Sequence, residues 1–295
     1  MRYSQILLDR IKTLIVKIRR DYYIHLYLKK GRIPWSIGYN FCKFGFINSV
    51  LNDNALISKF KNYAELPNGY GFGFDERVVE YPWTILRLSD SKNKLLDAGS
   101  VFNFKMIVNH PKIKIKKFTI YTLAPEINCF WKKGISYHYG DLRKLPFKDE
   151  WFDEIISLST LGHVGMETRL YTGKAHNRKV GLDAEKAVSE LLRVLRPGGR
   201  LLISVVFGKH QLIEWKDGSV FAEQFNSELL KDFLESFSSC NSISVNFYRY
   251  TETGWNIAKE EECQELEYFN IHTAKKIDHD NAAAARAVAL IDIIK

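Results

Sequence analysis

Gly140–Gly165 reads G-D-L-R-K-L-P-F-K-D-E-W-F-D-E-I-I-S-L-S-T-L-G-H-V-G, and Glu190–Gly208 reads E-L-L-R-V-L-R-P-G-G-R-L-L-I-S-V-V-F-G. Together they predict a polar loop, a buried strand, a long helix, a tight turn and a second buried strand. The first strand, Asp153–Leu158, opens with acids and continues with apolar residues. The helix can begin at Asp183, a residue type suited to an N-cap. Ala184, Ala187, Val188, Leu191, Leu192 and Leu195 then share one face at helical spacing. Pro197, Gly198 and Gly199 stop it. Leu201–Phe207 is apolar almost throughout, as a strand covered on both faces requires. Strand, helix and strand in this order make a right-handed parallel crossover.

Working outward, three further strands are predicted before the helix and two after it: Lys94–Ala98, Phe118–Thr122 and Ile135–Tyr139, then Ile243–Arg249 and Arg286–Ile294. Asn226–Ser238 carries Leu229, Leu230, Phe233, Leu234 and Phe237 on one helical face. Tyr250–Ala285 is longer than a plain hairpin needs. Asn68–Phe74, N-G-Y-G-F-G-F, lacks the strand and spacing of a phosphate loop and reads as a flexible aromatic loop. Asp75–Leu86 reads as a helical lead-in that Pro82 should break, with Tyr81 and Trp83 as candidate lid residues.

The chain has 295 residues and a net charge of +9. Residues 1–32 hold nine Lys or Arg against Asp9 and Asp21, so almost all of the excess is local. A high pI therefore does not imply a nucleic-acid partner, and no N-P-P-[YF] motif of nucleic-acid methylation is present. Ile6, Leu7, Leu8, Ile11, Leu14, Ile15 and Ile18 give this segment an apolar helical stripe. Asp9, Arg10, Lys12 and Lys17 interrupt it too early for a membrane span. No cleavable signal peptide is read there. Two readings stand: a helix packed on its own domain or on a second copy in a homodimer, or an interfacial helix on an anionic membrane. Four scattered cysteines argue against a zinc site or disulfide framework and fit a reducing, cytoplasmic setting. No P-loop and no G-x-S-x-G elbow is present.

L-P-F, then F-D-x-I, S-T-L-x-H-V and L-R-P-G-G-x-L-L-I closely resemble the central part of class I S-adenosylmethionine-dependent methyltransferases. The likeness extends more weakly from about Lys94 to the end of the chain. It implies an α/β, Rossmann-like fold: a seven-stranded, mostly parallel sheet with one antiparallel edge strand, here with an N-terminal helical extension. The domain division is then 1–32 as a basic amphipathic helix, 33–93 as a lead-in and lid, and 94–295 as the methyltransferase-like domain. The implied cofactor is S-adenosyl-L-methionine, and no metal is expected.

The resemblance also implies site residues. Asp141 would accept from the adenine amino group, Leu142 would pack on the ring, and Ser159 joins the cofactor contacts. Asp97 and Gly99 match the family's first loop, but Val101 and Asn103 stand where two more glycines are expected. Thr122 occupies the place of the acid that binds the ribose; Glu126, in the first turn of a next short helix, is the substitute. The loop Ser159–Leu182 follows the fourth strand, where open α/β sheets bind ligands. His163 is the leading general base there, Glu167 the second candidate and His176 the third. Gly162, where similar sequences often carry glutamate, should leave room beside the histidine. The expected activity is methyl transfer to a small molecule or sugar, at oxygen. L-D-A-G-S (Leu96–Ser100) and L-A-P-E (Leu123–Glu126) resemble bacterial methyltransferase-like proteins and suggest surface-polysaccharide synthesis. The altered glycine loop motivates a rival, a catalytically degenerate binding or scaffold subunit.

Overall fold

The computed structural model describes residues 2–166, 168 and 183–295. Four helices precede the sheet: α1 (Arg2–Lys29), α2 (Tyr39–Val50), α3 (Asn54–Lys61) and α4 (Arg77–Arg87). Asp53 caps α3, its carboxylate accepting from the amides of Ala55 and Leu56. Pro82 does not break α4. A proline withholds the N–H that would reach the carbonyl four residues back, that of Val78. The hydroxyl of Tyr70 donates to that carbonyl instead, at 2.7 Å. Tyr70 comes from the glycine-rich stretch, which is a set of buried turns rather than a flexible loop. Gly71, at φ +62°, lies so close that a Cβ would meet Val78 Cγ2 at 2.6 Å.

The sheet begins with β1 (Lys94–Ala98), then two short helices, α5 (Lys105–Val108) and α6 (Pro111–Lys114), lead to β2 (Lys117–Thr122). β3 (Ser136–Tyr139) and β4 (Phe152–Leu158) follow, and α7 (Asp183–Val194) crosses to β5 (Leu195–Val206). The hairpin β6 (Gln211–Glu214) and β7 (Val220–Gln224) comes next, then α8 (Ser227–Glu235), with Asn226 as its cap. β8 (Ser242–Thr251), β9 (Gly254–Ala258) and β10 (Ala287–Ile294) complete the chain. The strand order is β3-β2-β1-β4-β5-β10-β8-β9. The first five strands are parallel, and β10 runs antiparallel to both β5 and β8.

Eight strands stand where seven were expected. The eighth, β9, comes from the long Tyr250–Ala285 insertion and pairs antiparallel with β8. Pro197–Gly199 is a bulge inside β5 rather than a turn before it: the register jumps from Phe152↔Leu195 to Glu154↔Arg200. Asp183 opens α7, and its carboxylate pairs with Arg143 and Lys186.

Alternate strand residues divide between two cores. Leu95, Ile156 and Leu202 pack with α2, α3 and α4; Leu96, Ile155 and Leu201 pack with α7 and α8. Tyr81 and Trp83 belong to the first core and are not lid residues. The Tyr81 hydroxyl donates to the Val101 carbonyl (2.5 Å), and the Trp83 indole to Asn246 (2.9 Å). Packing thus fixes α4 against the carboxyl ends of β1, β4 and β5, where the cavity described next opens.

Candidate active site

A cavity of about 360 Å³ lies at the carboxyl ends of β1, β2 and β4, within the usual size of small-molecule sites. Of the residues singled out from sequence, Gly99, Thr122, Asp141, Leu142, Ser159 and His163 line it together. Asp97 does not; it lies fully buried beneath the loop. Its carboxylate accepts from the amides of Val101 (3.1 Å) and Phe102 (2.7 Å) and so shapes the turn. Burial raises its pKa to about 7, against the pull of those two amides. Glu126 is also off the wall, in irregular chain after β2, and no helix begins there. Glu167 and His176, with the basic residues of their loop, lie outside the described residues.

The first loop turns without its missing glycines. Gly99 (φ +133°) and Ser100 (φ +65°) carry the positive angles, while Val101 and Asn103 do not. A Cβ on Gly99 would meet Thr160 Oγ1 at 2.2 Å, so this one glycine is required. Asn103 instead braces the loop: its amide donates to the Asn128 carbonyl, and it accepts from the Tyr137 hydroxyl.

Asp141 holds Arg143 in a fork, with Nε 2.9 Å from Oδ1 and Nη2 2.5 Å from Oδ2. Arg143 also reaches Asp183 at the start of α7 (2.5 Å). The acid is thereby fixed at the cavity rim. Sequence reading missed Arg143, although its i+2 spacing from Asp141 was the available signal.

Ser159 takes a positive φ of 42° at the end of β4. Its hydroxyl donates to Glu80 Oε1 (2.6 Å), as does that of Ser204 (2.5 Å), while Arg77 pairs with Oε2. Glu80 is fully buried, so three donors satisfy a charge that water cannot reach. Arg77 and Glu80 are one turn apart on α4, and Arg77 joins the cavity wall. Neither was expected, because nothing in a local pattern says that this face meets β4.

His163 sits in a short 3-10 turn, Leu161–His163. Its Nδ1 is 2.7 Å from the carbonyl oxygen of Phe221 in β7, and a carbonyl only accepts. Nδ1 therefore carries the proton and Nε2 the lone pair. Burial holds the pKa below that of an ordinary histidine; the bond to Phe221 opposes this and Arg77 adds to it. The ring is thus neutral at pH 7, as a general base must be. Gly162 leaves no extra room: a Cβ there would meet the Glu223 carbonyl at 2.9 Å, because β7 lies against the turn.

A family model described as a methyltransferase domain matches residues 121–203, from the end of β2 into β5. The tRNA (carboxymethyluridine(34)-5-O)-methyltransferase of Arabidopsis thaliana is 30% identical over 126 residues, 39% of this chain and 24% of that protein. The chain thus matches about a quarter of that relative's length. Among solved structures, a Thermotoga maritima protein titled a SAM-dependent methyltransferase and possible histamine N-methyltransferase is 18% identical. That likeness covers 70% of this chain and 83% of the other, with a TM-score of 0.40. The 1,6-didemethyltoxoflavin-N1-methyltransferase of Burkholderia thailandensis, solved with its substrate and S-adenosylhomocysteine, is 12% identical. It covers 69% of this chain and 71% of its own, at a TM-score of 0.42. The matched segment lies at the centre of a mostly parallel, Rossmann-like sheet. Residues 121–203 thus carry the sequence signature of a methyltransferase domain.

Proposed function

We propose that the protein transfers a methyl group from S-adenosylmethionine to a hydroxyl of a small-molecule or sugar acceptor. What supports this is the convergence of Gly99, Thr122, Asp141, Leu142, Ser159 and His163 on one cavity. The donor set suits the cofactor. Asp141 accepts from an amino group, Leu142 offers an apolar face for a ring, and Thr122 offers a hydroxyl to a ribose. Gly99 keeps the backbone open beside them. When bound, the cofactor supplies a methyl on a sulfonium that departs as a neutral thioether, so alignment matters more than elaborate acid–base machinery. Nε2 of His163 takes the proton of the acceptor hydroxyl, and the Phe221 carbonyl holds the ring in the tautomer that allows it. Glu167 stays the second candidate for that proton. A surface-polysaccharide setting rests on the resemblance carried by Leu96–Ser100 and Leu123–Glu126. The test is methyl incorporation from labelled donor into hydroxylated acceptors and into tRNA. Transfer to tRNA alone would replace the small acceptor.

We also infer a cytoplasmic location with peripheral contact to the inner face of an anionic membrane. No described helix is long and apolar enough to cross a membrane. Tyr27 of α1 is fully buried against the body, and Tyr23 stacks on Phe41. Leu14 and Ile18 each lie nine residues before these two, about two and a half turns, and hence on the opposite side of the helix. Leu14, Ile15, Ile18 and Tyr22 are all more than half exposed. Lys17 and Arg19 flank that stripe, which suits lipid headgroups above an apolar layer. A homodimer through the same stripe is the competing occupant.

A further inference from the structure

A second, smaller chamber of about 60 Å³ adjoins the first, sharing Arg77, Ser159 and His163 as common wall. Its far side is Val205, Ile213 and Ala222, so the unforeseen β6–β7 hairpin closes it. Glu76 also lines it. This carboxylate is 8% exposed, and its Oε2 is buried with no hydrogen-bond partner. A buried polar atom left unpaired costs about 1–3 kcal/mol, so its retention calls for an explanation. The neighbouring charges do not supply one. Asp75 is matched by Lys43 (2.5 Å) and Glu80 by Arg77. Glu76 is the acid left over in this group, and burial together with Asp75 and Glu80 raises its pKa to about 8. At neutral pH it is an uncharged carboxyl able to donate as well as accept.

We propose that Glu76 and this chamber seat a neutral, hydroxyl-bearing head of the acceptor, with His163 on the shared wall between that head and the cofactor cavity. This rests on the methyl-transfer reading. Val205, Ile213 and Ala222 give the chamber one apolar side, Glu223 lines it with its carboxylate turned to His210 (3.0 Å), and Lys43 and Arg77 answer Asp75 and Glu80. Glu76 thereby acts as a specificity-determining residue, separate from the base.

The test uses the full chain with S-adenosylhomocysteine, and methyl-selective NMR of Val205, Val206, Ile213 and Ala222. Ethylene glycol and glycerol are the probes, with methylammonium as the charged comparison. The polyols should shift these methyls saturably, and methylammonium should not. Glu76→Ala should weaken polyol binding about tenfold or more, while Glu76→Gln, which keeps a donor and an acceptor, should stay within about threefold. No polyol response in the parent protein overturns the proposal even where Glu76→Ala fails to fold. Equal affinity in parent and Glu76→Ala overturns it as well. S-Adenosylhomocysteine affinity is read in the same samples. Its absence in the parent means that the methyl-transfer reading has failed; its presence beside a silent chamber sinks this inference alone.

Discussion

A single methyl group decides whether the first loop can exist. Gly99→Ala would place a Cβ 2.2 Å from Thr160 Oγ1 at a φ that L-residues avoid. The expected cost is about 1–3 kcal/mol of stability, with weaker S-adenosylhomocysteine binding. Thermal melting and calorimetry read the two effects; an unchanged melting point would mean that the loop is not built as described. Acid titration offers a second residue-level check. Asp97 and Glu76, at about 7 and about 8, lie well above the ~4 of unfolded carboxyls. Between about pH 4 and 8 the native state holds protons that the unfolded chain has released, so their contribution to stability falls as pH rises. Glu76→Gln removes one of the two, so urea unfolding should show it gaining on the parent from pH 5 to pH 8. A constant difference would place Glu76 in water. At this scale the candidate cavity was partly legible. Gly99, Asp141 and His163, which line it, stand in local motifs. Glu80, Arg77 and Glu76 were not legible, since their partners lie in strands far along the chain. Val101 and Asn103 misled because only one loop position needs a glycine's angles and an open space beside it.

Elements were easier to read than their joints. The parallel strands and α7 followed from apolar runs and helical spacing, yet Pro82 was expected to break α4. The reason it does not is tertiary: the Tyr70 hydroxyl answers the Val78 carbonyl. Tyr70→Phe should therefore destabilise by about 1–3 kcal/mol, by leaving that carbonyl buried and unpaired. Pro82→Ala restores a helical N–H and should remove most of the loss in the double variant. Additive effects in the double-mutant cycle would contradict the substitution of one donor for the other. The β6–β7 hairpin escaped detection because its strands are short, and it changes the reading of His163. The histidine's Nδ1 is held by a carbonyl of β7. His163→Ala should lower turnover about 10²–10⁴-fold with little change in cofactor affinity. Joint loss of cofactor binding and thermal stability would make it structural and pass the base to Glu167.

Over the whole molecule, charge and hydrophobicity are segregated. The basic excess sits on residues 1–32, and among the described side chains of α1 the buried one is Tyr27, in its last turns. Removing residues 1–22 should leave S-adenosylhomocysteine binding intact and abolish sedimentation with anionic vesicles, which salt should also weaken. Equal sedimentation of both forms, with a dimer that dissociates on truncation, would assign the stripe to a second copy. The sheet was readable as an architecture because each strand repeats the same demand for burial. Its eighth strand was not, since pairing at an edge leaves little pattern in sequence. Whether the altered glycine loop binds the cofactor decides between catalysis and a scaffold. In a calorimetric titration of the full chain with S-adenosylhomocysteine, saturable one-to-one binding is expected, weakened by about 1–3 kcal/mol in Asp141→Ala. No heat and no melting shift with millimolar ligand would contradict that expectation and favour the degenerate scaffold.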